Sequence, residues 1–248
     1  MRRVLVLRAR EDAQRTSEKL AAMGFACVLS PVLEIVATGA KALAADFDAV
    51  IVTSAKALEH SDQPESLRRL PLFVVGARTS ALAERRGWRL AGVAPESAAL
   101  LGVILEHRPS LGRLLYLAGR QRRETIETAL RRAGREVFAL ETYDAREAAA
   151  LTREAAAALA QGEISAALHY SPRSAEIFVR LVERAHLASA ARALAHFAIS
   201  AETAAALRPM EAPRTLVADS PDEQALLRLL AAFDWAPRPL DGRRESRY

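Results

Sequence analysis

Hydroxyl-bearing residues follow predicted strands at matching positions in the two halves of the chain. Serine and threonine hydroxyls, together with the free amides at the start of a helix, donate hydrogen bonds to anions. The same residue types cap helices where no ligand binds, and a cap is the commoner role for any one of them. Their recurrence at equivalent places favours a binding site for an anionic molecule. The candidate binding residues are Thr53, Ser54, Thr79, Ser171, Ser200 and Thr203.

One tyrosine and one arginine complete the candidate site. Tyr143 lies in an extended segment predicted to connect the two halves, where its phenol can donate a proton or orient a leaving hydroxyl. The alternative is an ordinary half-buried strand tyrosine. Arg8 ends the first strand and can bind a carboxylate through its guanidinium fork, the alternative being a solvated loop charge. The solvated role is preferred for Arg122 and Arg123.

Cofactor and metal signatures do not occur in the sequence. The phosphate-binding motifs GxGxxG and GxxxxGK[ST] and the nucleophile motif GxSxG are all missing. The five histidines lack paired metal-ligand spacing, and the single cysteine, Cys27, excludes an intramolecular disulfide. We therefore expect no cofactor and no metal. An enzyme of this kind would act mainly by positioning its substrate.

The elements that position these residues are repeated, because the second half of the chain resembles the first half in sequence. Four segments recur in the same order: VLVLRA as LLYLAGR, FDAVIVTSAKAL as ISAALHYSPRSA, FVVGARTSAL as FAISAETAAAL, and PESAALL as PDEQALL. The shift between copies grows slowly along the chain, which indicates a duplication with small insertions. Two similar lobes commonly hold a ligand in the cleft between them.

Short apolar runs alternate with helical patterns throughout, which predicts an α/β fold with parallel sheets. We expect two similar, doubly wound, flavodoxin-like lobes. A cut near residue 110 would give two contiguous domains. Alternatively, residues 37–146 form an inserted lobe and residues 1–36 plus 147–234 form the other, joined by antiparallel strands at PVLEIVA and LETYDA. The proline- and arginine-rich segment 235–248 is predicted to be a disordered tail.

Composition restricts the class of protein and its partners. The chain has 248 residues, 51% of them hydrophobic, and no apolar run approaches the length of a membrane span. The start of the chain lacks a signal-peptide pattern, so a cytoplasmic protein is expected. We also expect a monomer. The net charge of +5 comes almost wholly from arginines without interleaved aromatic residues, which favours an anionic small molecule over nucleic acid.

The ordered set of motifs resembles the uroporphyrinogen-III synthase family from residue 4 to about residue 230. The motifs include FDAVIVTSAKAL, FVVGARTSALAERRGW, LLYLAGRQRRETIETALRRAG, ETYDA and ALHYSPRSAEIF. The resemblance implies two α/β lobes with a two-stranded linker, and the first βαβ unit belonging to the lobe of the second half. It also implies a cofactor-free lyase that converts hydroxymethylbilane to uroporphyrinogen III, losing a hydroxyl and inverting the last pyrrole ring.

Carried onto matching positions, the resemblance makes Tyr143 a candidate acid and places the six hydroxyl residues and Arg8 at the substrate. The family often opens with Thr-Arg-Pro where this chain has Leu7-Arg8-Ala9, and Ser200 replaces a common glycine. A second interpretation remains open, namely a two-lobe binding or regulatory module for an anionic metabolite, because a fold does not fix a function.

Overall fold

The computed structural model describes residues 1–43, 46–107, 112–122 and 124–235. The chain forms two compact units: unit 1 comprises Met1–Val32 and the chain from Ala148, and unit 2 comprises Leu33–Glu147. Each unit has its own sheet with helices packed on it, so the α/β fold predicted from the sequence is confirmed. Contiguous halves cut near residue 110 do not describe these units, because Arg113–Gly119 is an inner strand of unit 2.

Unit 1 is built around a five-stranded parallel sheet in the order β11-β10-β9-β1-β2. Its strands are β1 (Arg3–Val6), β2 (Ala26–Leu29), β9 (Ile164–His169), β10 (Ala195–Ala198) and β11 (Thr215–Val217). Its helices are α1 (Arg10–Ala22), α7 (Arg153–Ala160), α8 (Pro172–Arg184), α9 (Ala188–Arg192), α10 (Ala201–Ala205) and α11 (Glu223–Ala231). One face of the sheet packs on α1 and α11 in a shared apolar core.

Unit 2 has a six-stranded sheet in the order β3-β8-β7-β4-β5-β6. Its strands are β3 (Leu33–Ala37), β4 (Ala49–Val52), β5 (Leu72–Val75), β6 (Leu90–Ala94), β7 (Arg113–Gly119) and β8 (Glu136–Glu147). Its helices are α2 (Ala55–Glu59), α3 (Glu65–Arg68), α4 (Ala77–Arg85), α5 (Leu100–His107) and α6 (Thr125–Arg132). Side chains from α5 and α6 fill one face of the sheet, and α2, α3 and α4 fill the other.

The antiparallel pair predicted as a linker is part of the unit 2 sheet. Strand β8 runs for 12 residues, where the sequence predicts two separate extended pieces. Its first part pairs with β7 in parallel, and its last part pairs with β3 antiparallel, from Ala37↔Tyr143 to Leu33↔Glu147. The boundary predicted after residue 36 therefore falls after Val32, because β3 completes the edge of this sheet.

The sequence also predicts helix ends at Gly24 and Gly134 and helix N-caps at Ser97 and Asp222, and the structure confirms part of this prediction. Gly24 and Gly134, predicted to terminate helices, have φ angles of +81° and +76°, which only glycine adopts without strain. Asp222 caps α11 by accepting a 2.8 Å hydrogen bond from the amide of Ala225. The predicted cap at Ser97 is wrong, since Ser97 begins a 3-10 turn after Glu96 and makes no cap.

Trp235, where the predicted tail begins, packs on unit 1. Its ring lies 4.8 Å from the ring of Phe233, and the guanidinium of Arg2 lies 4.9 Å from its centroid. Trp235 therefore belongs to unit 1 and not to a disordered tail, and the predicted tail from residue 236 lies outside the described residues. No helix among the described residues is long and apolar enough to span a membrane.

Each sheet reverses its strand order once, and ligands of open α/β sheets bind at that point beyond the carboxyl ends of the strands. In unit 1 the reversal lies between β1 and β9, and in unit 2 it lies between β7 and β4. These pairs correspond in the repeat, since β1 matches β7 and β9 matches β4. The loops after β1, β4 and β9 hold half of the eight candidate residues, namely Arg8, Thr53, Ser54 and Ser171.

Candidate active site

Thr53 and Tyr116 form a hydroxyl pair at the carboxyl edge of unit 2. Thr53 follows β4, and its Oγ1 lies 2.7 Å from the phenol oxygen of Tyr116 on the neighbouring β7. Tyr116 is only 4% exposed, and burial raises the pKa of its phenol. The phenol therefore remains protonated at neutral pH, and the pair keeps a hydroxyl proton to donate.

Ser54 and Tyr143 form a second pair, on the other face of the sheet. Ser54 precedes α2, yet its hydroxyl makes no cap bond to that helix. It hydrogen-bonds with the phenol of Tyr143. Burial raises the pKa of Tyr143, while the Ser54 bond opposes that rise, so the phenol stays protonated and able to act as an acid.

Tyr143 occupies its position because residue 119 is glycine. The two residues pair across β7 and β8 at a register shift. A Cβ on Gly119 would lie 2.5 Å from Cζ of Tyr143 and 2.8 Å from its hydroxyl oxygen, inside contact distance. The missing side chain thus makes room for the ring at the end of β7.

Arg122 is enclosed in the structure, so the solvated role expected for it is wrong. Its side chain is 19% exposed, and Nε donates a 2.7 Å hydrogen bond to Glu127, a residue only 1% exposed. Nη1 donates to the carbonyl of Gly119 at 3.1 Å. Among the described residues, the second carboxylate oxygen of Glu127 is buried without a hydrogen-bond partner. Arg123 lies outside the described residues.

A cavity of about 540 Å³ lies beside these groups, and we call it the unit 2 cavity. Thr53, Tyr116 and Arg122 contribute polar groups to its wall, and α5 and α6 contribute mainly apolar side chains. Its size is within the range of small-molecule sites, and apolar walls with a few converging polar groups are typical of them. Thr79, in α4, is 4% exposed and does not line this cavity.

The predicted hydroxyls of unit 1 serve as helix caps. Ser171 accepts a 3.2 Å hydrogen bond from the amide of Ser174 at the start of α8. Ser200 accepts one of the same length from the amide of Thr203 at the start of α10. Thr203 is fully buried, with its Oγ1 3.0 Å from the hydroxyl oxygen of Ser200. These hydroxyls are engaged within their own loops.

Arg8 has internal partners in unit 1. Its guanidinium lies 4.1 Å from the ring centroid of Tyr170, and Nη1 donates a 2.7 Å bond to Glu223. Glu223 also accepts hydrogen bonds from Thr16, Lys19 and Tyr170. Burial alone would raise the pKa of Glu223, but the bonds from Lys19 and Thr16 and the charge of Arg8 lower it.

The sequence expectations missed several of these groups. Tyr116 reads only as part of an apolar strand, and Glu127 as part of a charged helix face. A buried histidine pair was also missed: Nε2 of His169 lies 2.9 Å from Nδ1 of His196. The repeat contained one signal that the two halves differ at this edge, since it aligns Tyr170 with Thr53 and Glu223 with Ser97.

Comparison with known proteins identifies a family for the chain and solved structures with a similar fold. The family model "Uroporphyrinogen-III synthase HemD" matches residues 14–228. The uroporphyrinogen-III synthetase of Helicobacter pylori 26695 superposes with a TM-score of 0.65 at 17% identity, covering 93% of this chain and 98% of that one. A mutant uroporphyrinogen III synthase of the extreme thermophile Thermus thermophilus has a TM-score of 0.51 at 18% identity, covering 93% and 97%. No curated protein matches the chain.

The fold defines a protein of two α/β units, with tyrosine, hydroxyl and arginine groups at the carboxyl edges of the sheets. At such low identities the solved structures show the fold alone, whereas the family match extends over most of the chain. The chain belongs to the uroporphyrinogen-III synthase family, whose members are lyases of haem biosynthesis acting on hydroxymethylbilane.

Proposed function

We propose that this chain closes hydroxymethylbilane to uroporphyrinogen III, with loss of the hydroxyl as water and inversion of the last pyrrole ring. The observation that carries the proposal is the family match over residues 14–228. The placement of a protonated tyrosine at the carboxyl edge of unit 2 supports it. Departure of the hydroxyl needs a proton and little else, because the pyrrole nitrogen of the same ring helps to expel it.

We assign the acid role to Tyr143. Its phenol keeps its proton at neutral pH, and Ser54 is hydrogen-bonded to it. Transfer of the phenolic proton to the leaving hydroxyl would release water, and Ser54 would orient the phenol for that transfer. Gly119 maintains the ring position, since any side chain there would collide with it.

The remaining predicted residues divide into two roles. Thr53 offers a hydroxyl to a substrate carboxylate, and Arg8 offers the guanidinium nitrogens that Glu223 leaves unused. Ser171, Ser200 and the buried Thr79 and Thr203 act by holding loops whose first helical amides can bind carboxylates. The substrate carries many carboxylates, so binding by many weak donors suits it.

We further propose that the protein works as a cytoplasmic monomer. Helices of the same unit cover both faces of the unit 2 sheet, which removes a common reason for a subunit interface. The single cysteine, half-buried Cys27, suits a reducing compartment. Light scattering of the purified protein tests the monomer, and a mass of two chains would contradict it.

The experiment for the function is isomer analysis. Freshly prepared hydroxymethylbilane is incubated with purified protein, and the products are oxidised and separated by chromatography. We expect the III isomer to dominate, against a protein-free control that gives the I isomer formed spontaneously. Product containing only the I isomer would overturn the proposal and return the chain to the class of binding modules.

A further inference from the structure

Next to the sheet edge, the place of the unit 2 cavity is filled in unit 1 by the chain's own side chains. A cavity of about 600 Å³ remains farther along α1 and α11, where Lys19, Leu227 and Ala231 contribute to its lining. The repeat pairs Thr53 with Tyr170, because FDAVIVTS aligns with ISAALHYS. It pairs Ser97 with Glu223, because PESAALL aligns with PDEQALL. The crevice between α5 and α6 therefore corresponds to the one between α11 and α1.

The contents of the unit 1 crevice are an aromatic ring and a carboxylate, both held by a guanidinium. Arg8 covers the ring of Tyr170 at 4.1 Å and donates to the Glu223 carboxylate at 2.7 Å. Thr16 adds a hydroxyl donor at 2.6 Å, and Lys19 adds an ammonium. Together these groups show what chemistry this crevice geometry accommodates.

Unit 2 has a guanidinium and hydroxyl groups in this crevice, but it lacks the aromatic ring and the carboxylate that fill it in unit 1. Thr53 and Ser97 stand where unit 1 has Tyr170 and Glu223, and Ala129 stands where it has Lys19. These smaller side chains line the cavity of about 540 Å³. A guanidinium is present in Arg122, which follows β7 as Arg8 follows β1, and a hydroxyl pair is present in Thr53 and Tyr116.

The guanidinium of Arg122 is held in place by hydrogen bonds, but they do not use all of its nitrogen donors. Glu127 accepts a hydrogen bond from Nε, and the Gly119 carbonyl and the Glu141 carboxylate accept from Nη1 at 3.1 and 3.4 Å. Among the described residues, none accepts a hydrogen bond from Nη2. The apolar wall includes Leu100, Leu101 and Ile126, which suit a flat ring. An arginine with a free nitrogen beside an apolar slot is suited to a ring that bears a carboxylate arm.

We propose that the unit 2 cavity binds one pyrrole ring of the substrate with its carboxylate arm. The ring takes the place that Tyr170 occupies in unit 1, and the carboxylate takes the place of Glu223, facing Arg122 and the hydroxyl pair. The identity of the ligand rests on the proposed function, while the cavity and its chemistry do not. The volume suits one substituted ring rather than four.

A direct binding experiment uses a monopyrrole with one carboxyethyl arm, 1H-pyrrole-3-propanoic acid. Amide chemical shifts of the full-length protein are followed by NMR during titration, with pyrrole alone and propionate alone as controls. We expect saturable shifts in α6, around Ala129 and Leu130, at lower concentration for the combined molecule than for either part. Equal, unsaturated responses to all three compounds would overturn the proposal.

Variants connect the cavity to turnover. Ala129→Phe fills the cavity, Ser97→Glu introduces the carboxylate that unit 1 supplies itself, and Thr128→Phe is the control on the exposed side of α6. We expect KM to rise at least tenfold for the first two, with an unchanged melting temperature, and to stay within twofold for the control. Tyr116→Phe, which removes one oxygen only, should raise KM without changing the fold.

The outcomes separate this proposal from the proposed function. Suppose that the wild-type protein makes the III isomer, that Ala129→Phe has the wild-type KM, and that α6 shows no saturable shifts. These results would contradict the cavity proposal and leave the proposed function intact. If the wild-type protein makes only the I isomer, the proposed function is contradicted. The titration would still decide whether the cavity binds a ring with a carboxylate.

Discussion

The carboxyl edges of the two sheets began as copies and now differ in how their polar groups are used. In unit 1, Ser171 and Ser200 cap helices and Arg8 is bound to Glu223. In unit 2, Thr53 and Ser54 bond to tyrosine phenols instead, and a cavity lies open beside Arg122. The comparison teaches that one edge has become mainly structural, while the other retains groups with protons to give.

The largest expected effect comes from removing a phenol on the unit 2 edge. Tyr143→Phe should lower kcat about 100-fold, because an acid in this position typically contributes at least that much. Tyr170→Phe, on the unit 1 edge, removes the hydrogen bonds of this phenol with Glu223 and Thr16 and should leave kcat unchanged. Steady-state kinetics on both variants checks the contrast, which disappears if the two lose the same activity.

Displacing the same phenol should cost somewhat less. Gly119→Ala places a methyl group 2.5 Å from Cζ of Tyr143, so the ring must move, and we expect kcat to fall roughly 30-fold. Gly112→Ala is the matched control just before the start of the same strand, where the nearest atom would be 3.6 Å away. A Gly119→Ala enzyme with wild-type kcat would show that the position of this ring is unimportant.

The histidine pair makes the stability of unit 1 depend on pH. Burial lowers the pKa of His196 to about 4 and that of His169 well below its usual range, so both are neutral in the fold. The unfolded chain binds protons near pH 6.5, whereas the folded chain binds them at His196 only near pH 4. Stability is therefore full above pH 6.5 and falls with pH from there.

For His196 alone the loss amounts to about 2 kcal/mol between about pH 7 and pH 5. Urea unfolding at both values measures it, and His196→Gln should flatten the dependence. His186→Asn, at an exposed position, should leave the slope unchanged. If the free energy of unfolding depends on pH equally in the wild type and in His196→Gln, the histidine pair is not the cause of the pH dependence.

The sequence predicted more of the architecture than of the contacts. Alternating runs and the repeat indicated two parallel sheets and put Thr53 and Ser54 at the end of a strand and Tyr143 in an extended segment. The two tyrosine pairs could not be foreseen, because they depend on which strands become neighbours. Thr53 meets Tyr116 only because β4 lies beside β7.

Two other expectations failed for similar reasons. Arg122 was expected in solvent, but a buried glutamate one turn into α6 draws it inward. The linker was expected as a separate pair of strands, but β8 is long enough to pair with β7 and with β3 along different parts of its length. Long-range pairing decides both features, and neither leaves a local pattern.

The smallest effects come from the paired serines, and they test the difference between the two edges most directly. Ser200→Ala removes a cap and should lower the free energy of unfolding by about 1 kcal/mol with kcat unchanged. Ser54→Ala removes the hydrogen bond to the phenol of Tyr143, the proposed acid, and should lower kcat about fivefold with stability unchanged. Both variants are measured for kcat and for the free energy of unfolding. A lower kcat without a loss of stability in Ser200→Ala, or a loss of stability without a lower kcat in Ser54→Ala, would contradict the assignment of a structural role to Ser200 and a functional role to Ser54.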